Sequence, residues 1–222
     1  MIGVLATAKT LKGFDAKFPK RYPKPGNIAE IFSEHPRTLN LIHYASKDEF
    51  LFEQLCALTW LGGTHCDGFQ LNMAWPSVSE IADFHARYTE KDKFTIVLQV
   101  GDAAFAAIEN SPHALARKLS TYIHQVDYVL LDQSGGLGKA LDVEVMDTFL
   151  EEIYGTSLNG YFNIGIAGGL DSSNIERLKP LIEKYPYLSI DAEGRLRDPS
   201  EHLNIPEVIR YLTAAYTLLP KL

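Results

Sequence analysis

The chain has 222 residues, 46% of them hydrophobic and 22% charged, the composition of a globular protein large enough to bury a sizeable core. No run of about 18 apolar residues and no signal-like leader occurs, so neither a membrane span nor export is expected. The net charge is −7, and basic residues are scattered except for Lys17, Lys20, Arg21 and Lys24, which argues against nucleic acid as the main partner while leaving room for a local anion site.

In chain order, short β-branched runs predict strands near 1–5, 39–44, 67–72, 94–100, 127–132, 162–167 and 187–191, with amphipathic stretches between them. After the first strand, Ala8 to His35 differs in character. It is rich in lysine, holds Pro19, Pro23 and Pro25, and reads as a long loop leading to a short helix at about 27–34. Ser46 with Glu49, Ser77 with Glu80, Ser173 with Glu176 and Asn204 with Glu207 have the spacing of capping boxes, and Ser111-Pro112 is a further helix opening. Core stripes are expected from Leu51, Leu55 and Leu58, from Met146, Phe149, Leu150 and Ile153, and from Val208, Leu212, Ala215 and Leu219. Pro180 should bend or restart a helix over 173–185.

Strands alternating with helices, with no break in composition, predict a single α/β domain over 1–222: a (β/α)8 barrel of the TIM type, with a doubly wound open sheet as the alternative. Seven strands are counted where a closed barrel has eight, so one is missing or replaced. The open edge this leaves invites cover by the 8–35 segment or by a second copy in a homodimer. Cys56 and Cys66 stand in no CxxC spacing and suit a reducing, cytoplasmic compartment. The histidines show no HxxxH or HExxH pairing, and neither a metal nor another cofactor is predicted.

In such a fold the loops after the strands build the site. Leu130-Leu131-Asp132 runs into a glycine-rich loop, Gln133 to Lys139, which puts a carboxylate at a strand end where acid or base chemistry is done. Gly165 to Asn174 is a strand, a double glycine and a helix start, the arrangement that lets a phosphate approach backbone amides. Ser189 to Asp198 supplies a charged loop with Gly194, Arg195 and Arg197 as the other half of a phosphate cradle. Lys9 and Lys139 are further phosphate candidates, though loop lysines are usually only solvated. Cys66 precedes its strand and so belongs at the end opposite to catalysis.

At these residues the sequence resembles phosphoribosylanthranilate isomerase. The family's late pattern, LLD, then GGxGxxFD, then AGGL with an Asn four or five positions later, is matched by Leu130 to Asp132, Gly135 to Asp142 and Ala167 to Asn174. More weakly, Phe69-Gln70-Leu71-Asn72 is similar to the QLHG strand end, Leu39 to Ser46 to the VGVF strand, and Pro19-Lys20-Arg21-Tyr22 to the SPRY loop. The resemblance implies an aldose-to-ketose isomerisation of a phosphorylated aminosugar. Asp132 would be the acid, Arg21 the grip on a carboxylate, Gly168 and Gly169 the phosphate amides, and Gln70, Gly136 and Gly194 further substrate contacts.

Two departures follow. The family's KICG segment, whose cysteine is the general base, has no counterpart, which leaves His43 or Asp102 to fill that role at their strand ends; His43 has the attraction that an imidazole titrates near neutrality. The last loop reads Asp191-Ala192-Glu193-Gly194 instead of SSGVE, which sets two carboxylates near the expected phosphate. The other reading is therefore a sugar-phosphate-binding barrel that has lost catalysis or changed substrate.

Overall fold

Each of the seven expected strands forms, and its neighbours in chain order become its neighbours in space. The structure, a computed structural model, describes residues 1–16, 18–47, 49–88, 93–134 and 140–220. Among them lie β1 (Ile2–Thr7), β2 (Asn40–Ala45), β3 (Gly68–Asn72), β4 (Thr95–Val100), β5 (Tyr128–Asp132), β6 (Asn163–Ala167) and β7 (Ser189–Asp191), all parallel and joined by helical crossovers. The helices are α1 (Ala8–Leu11), α2 (Ile28–Ile31), α3 (Leu51–Gly62), α4 (Val78–Arg87), α5 (Asp102–Ala107), α6 (Pro112–Ser120), α7 (Val143–Gly155), α8 (Lys179–Lys184) and α9 (Ile205–Leu218). The chain forms two compact units, Met1–Gln99 with Tyr122–Tyr128, and Val100–Thr121 with Val129–Leu222.

In the first unit the order is β1-β2-β3-β4, with Leu5 beside His43, His43 beside Gln70 and Gln70 beside Val97. Side chains alternate between faces along a strand, and here the alternation separates chemistry. Val4, Ala6, Ile42, Tyr44, Phe69, Leu71, Ile96 and Leu98 share one buried, apolar face. That face meets the helices. Tyr44 donates from its hydroxyl to Gln54 Oε1 of α3 at 2.7 Å, and Phe69 meets Phe84 of α4 edge-on at 5.7 Å. The other face holds His43, Gln70, Asn72 and Gln99. Buried polar groups at the strand starts are satisfied: Asp67 accepts from the Asn40 amide at 2.7 Å, and the Asn40 side chain donates to Ser33 O and His65 O.

In the second unit the order is β5-β6-β7, with Ala167 beside Asp191. Val129, Leu131, Ile164 and Ile166 fill the buried face. The stripe Met146, Phe149, Leu150 and Ile153 of α7 is buried as expected, with Phe149 against Phe105 of α5 at 5.1 Å.

Several local expectations need correction. Ser46 does not cap α3, which begins instead after Phe50 in a left-handed conformation, φ 68°. Ser77, Ser111 and Asn204 do cap α4, α6 and α9. Ser173 starts no helix: Asp171 accepts from its amide and hydroxyl, and a 3-10 turn over Ile175–Leu178 precedes α8, which Pro180 restarts in its first turn. The 8–35 segment holds two short helices, α1 directly after β1 and α2 over only four residues. Of the expected α9 stripe, Ala215 is buried and Val208 and Leu219 are half-buried, but Leu212 is not part of it. Tyr211 and Ala215 are buried, whereas Leu212 is 58% exposed and lines up with exposed Ile205, Ile209 and Tyr216.

A Cβ at Gly68 would collide with the Thr95 carbonyl and its neighbouring backbone, because these two residues are paired across β3 and β4. Gly68→Ala is therefore expected to cost about 2–3 kcal/mol, measured as a lower urea midpoint at unchanged slope.

Candidate functional site

The site residues follow from strand parity. In the second unit, a Cβ built on Gly165 would touch Leu130 Cδ1 at 3.1 Å and Ser189 Cβ at 3.6 Å, so these three positions share a face. Two residues further along each strand come Asp132, Ala167 and Asp191, on the same face and at the C-terminal ends. Two carboxylates thus flank the end of β6, with only the small Ala167 between them.

Asp132 is buried, and its Oδ1 accepts from the Ser134 amide at 2.9 Å and the Ser134 hydroxyl at 2.6 Å. These bonds orient the carboxyl from its own loop. Asp191 is largely covered. Burial first, then the charges of Asp132 and Glu193, push its carboxyl up to about 6. Glu193 is held by Arg197, with Nε 3.4 Å from Oε1. Tyr211 of α9 lies near enough to Asp191 to feel its charge. Its hydroxyl is buried without a hydrogen-bond partner among the described residues, and burial together with the charge of Asp191 raises its ionisation well above the ordinary range.

The double glycine follows β6 directly, with φ 145° at Gly168 and 52° at Gly169, values that favour glycine. A side chain on Gly168 would press on Leu141 at 3.3 Å. Beyond it the amides are engaged within the chain. Asn174 Oδ1 accepts from the Asp171 amide, Glu207 Oε1 from the Ser172 amide at 2.8 Å, and Asp171 Oδ1 from the Ser173 amide. Asn174 in turn donates to Gly169 O at 2.7 Å, and Arg195 pairs with Asp171 at 2.9 Å. The chain's own carboxylates therefore occupy donors that the sequence suggested for phosphate. Gly194 is exposed in a 3-10 turn, Gly194–Leu196.

In the first unit the Asn72 side-chain amide lies 3.2 Å from His43 Nε2, and Gln70 donates to Gln99 Oε1 at 3.0 Å, both of these glutamines buried. Arg21 lies over the Phe18 ring at 4.7 Å. Asp102 is not at the end of β4, which stops at Val100; it is exposed on the first turn of α5, where a negative charge suits the helix dipole. Cys66 is buried before β3, and burial pushes its thiol up to about 11, which leaves it protonated and inert. Gly136 and Lys139 lie outside the described residues. A recess of about 820 Å³ between α7 and α8 is bordered by Asp142, Arg177 and Lys184, and Lys184 is already paired with Asp147 and Glu151.

No protein-family model matches the chain, and no curated protein matches it. Among the described residues no helix is long and apolar enough to cross a membrane, and no group of three or more His, Cys, Asp and Glu side chains is arranged to hold a metal ion.

The sequence pointed to Asp132 through its position but treated Asp191 only as an obstacle to phosphate. The signal was available: both are the last residues of their strands, at the same parity. Tyr211 is missing from the expected α9 stripe because Leu212 stands in its place there.

Asp191 yields a stability test. Its carboxyl lies higher folded, at about 6, than the ordinary 3.8, so its contribution is fully present below about pH 4 and is lost as pH rises through about 6. Asp191→Asn, fixed in the neutral form, is expected to melt higher than the parent at neutral pH, by up to about 3 kcal/mol, with the gain gone at about pH 4. Paired thermal melts across that range check both the sign and the window.

Proposed function

We propose that the chain is a cytoplasmic, TIM-barrel-like isomerase of the phosphoribosylanthranilate isomerase type, which converts a phosphorylated aminoaldose into the corresponding aminoketose. The observation that supports it most is the buried Asp132 carboxyl at the end of β5, fixed by Ser134 and facing the same side as Asp191. A strand-end carboxyl held from behind is pre-oriented for proton transfer, worth 10²–10⁴ in rate for such groups. In this reading Asp132 protonates the sugar ring oxygen, Arg21 holds the anthranilate carboxylate, and the bare backbone at Gly168 and Gly169 admits the phosphate.

A second reading, a barrel that binds a different sugar derivative or has lost turnover, is favoured by one observation. Glu207 and Asp171 already sit on the amides of Ser172 and Ser173, so an anion at that loop would face two carboxylates.

The two readings separate in one assay. With freshly made phosphoribosylanthranilate, the isomerase is expected to consume anthranilate fluorescence, and Asp132→Asn to slow this by roughly 10²-fold or more. No turnover by the parent protein, with a sugar phosphate still raising its melting temperature, decides for the second reading.

A further inference from the structure

The isomerase reading lacks a base, and the structure offers a carboxylate that neither the sequence motifs nor the resemblance assigned to that role. We propose that Asp191 is the proton acceptor of this site, working across the end of β6 from Asp132, with the Tyr211 hydroxyl of α9 as a substrate-binding donor. This rests on the isomerase reading for the identity of the substrate, though not for the existence of the paired carboxyls.

Three independent features converge. The register of β6 and β7 sets Asp191 beside Ala167, and the contacts of Gly165 with Leu130 and Ser189 fix Asp132 and Asp191 on one face. Tyr211 is 5% exposed and has a hydroxyl without a partner among the described residues. A buried phenol is normally hydrogen-bonded, and a substrate oxygen between the carboxyls would supply the partner. The alternatives fit less well: His43 Nε2 lies against the Asn72 amide, Asp102 is exposed on α5, and Cys66 is buried ahead of β3.

Burial and two neighbouring charges also hold the Asp191 carboxyl at about 6, close enough to neutrality for a carboxylate that is both ionised and appreciably basic. The groups around it are Asp132 on β5, Glu193 with Arg197 in the following loop, and Tyr211 on α9. The charge of Asp132 acts across the end of β6 and disfavours ionisation of Asp191.

The proton balance closes. Asp132, in the form of the site that has a proton on it, gives that proton to the ring oxygen as the C1–O bond breaks and the nitrogen lone pair forms C1=N. Asp191 removes the proton from C2, and that electron pair forms C1=C2 while the iminium pair returns to nitrogen. The C2 hydroxyl proton then passes to Asp132 as the carbonyl forms, and Asp191 returns its proton to C1. Both carboxyls end as they began.

The test combines turnover with a substrate-free titration. Asp191→Asn is expected to lower kcat for phosphoribosylanthranilate at least ~10²-fold with KM within about threefold, while melting no lower than the parent at neutral pH. Tyr211→Phe should lower kcat/KM about tenfold without loss of stability, since no hydrogen bond among the described residues is removed. Independently, carbon-13 NMR of the aspartate carboxyls should show Asp191 titrating near 6 and moving down in Asp132→Asn. Unchanged turnover in Asp191→Asn overturns the proposal. So does an Asp191 midpoint in the ordinary carboxylate range that Asp132→Asn leaves in place. An inactive parent with the coupled titration intact would sink the isomerase reading alone, and would keep the pair as a proton-transfer site for another substrate.

Discussion

Everything in this structure depends on the twofold alternation of side chains along short parallel strands. One face of each strand must be dry enough to seat a helix. In β2, β3 and β4 that requirement places Ile42, Tyr44, Phe69, Leu71, Ile96 and Leu98 on the same side, all essentially inaccessible. Burial on this scale, at about 25 cal/mol per Å² of apolar surface, is what orders the strands. The alternate positions are released from that duty. In the first unit they are taken by His43, Gln70, Asn72 and Gln99, and in the second by Asp132 and Asp191. Within each unit polar chemistry therefore collects on one face because the other face is committed to packing.

The carboxyls show what such a face costs. Bringing Asp191 near Asp132 and Glu193, and covering it, disfavours ionisation, and the fold answers only part of this through Arg197 on Glu193. Asp132 is treated differently, with two donors from Ser134. Two acids of the same chemical type thus sit in unlike surroundings.

Much of this was legible in the sequence. Strand positions came from β-branched runs and shifted by a residue or two, and Ser77, Ser111 and Asn204 capped where their spacing indicated. Asp132 was found because LLD ends an apolar run. The failures have physical causes. Ser173 met a competing acceptor in Asp171, and Phe50 adopted a left-handed turn that a capping pattern does not encode. On α9, several apolar residues surround the helix, so the 3.6-residue period alone did not tell Tyr211 from Leu212. The donors near the double glycine could not be judged from sequence, because Glu207, which occupies one of them, lies 35 residues further on.

Glu207 also binds α9 to the architecture of the strand ends. Its two carboxylate oxygens join the Ser172 amide to Arg210, and one turn later the same helix brings Tyr211 near Asp191. The C-terminal helix is thus part of the site and not a trailing appendage. Any truncation that removes it strips the loop after β6 of its brace and opens Asp191 to water, so a shortened chain would be a chemically different protein even where its strands remained intact.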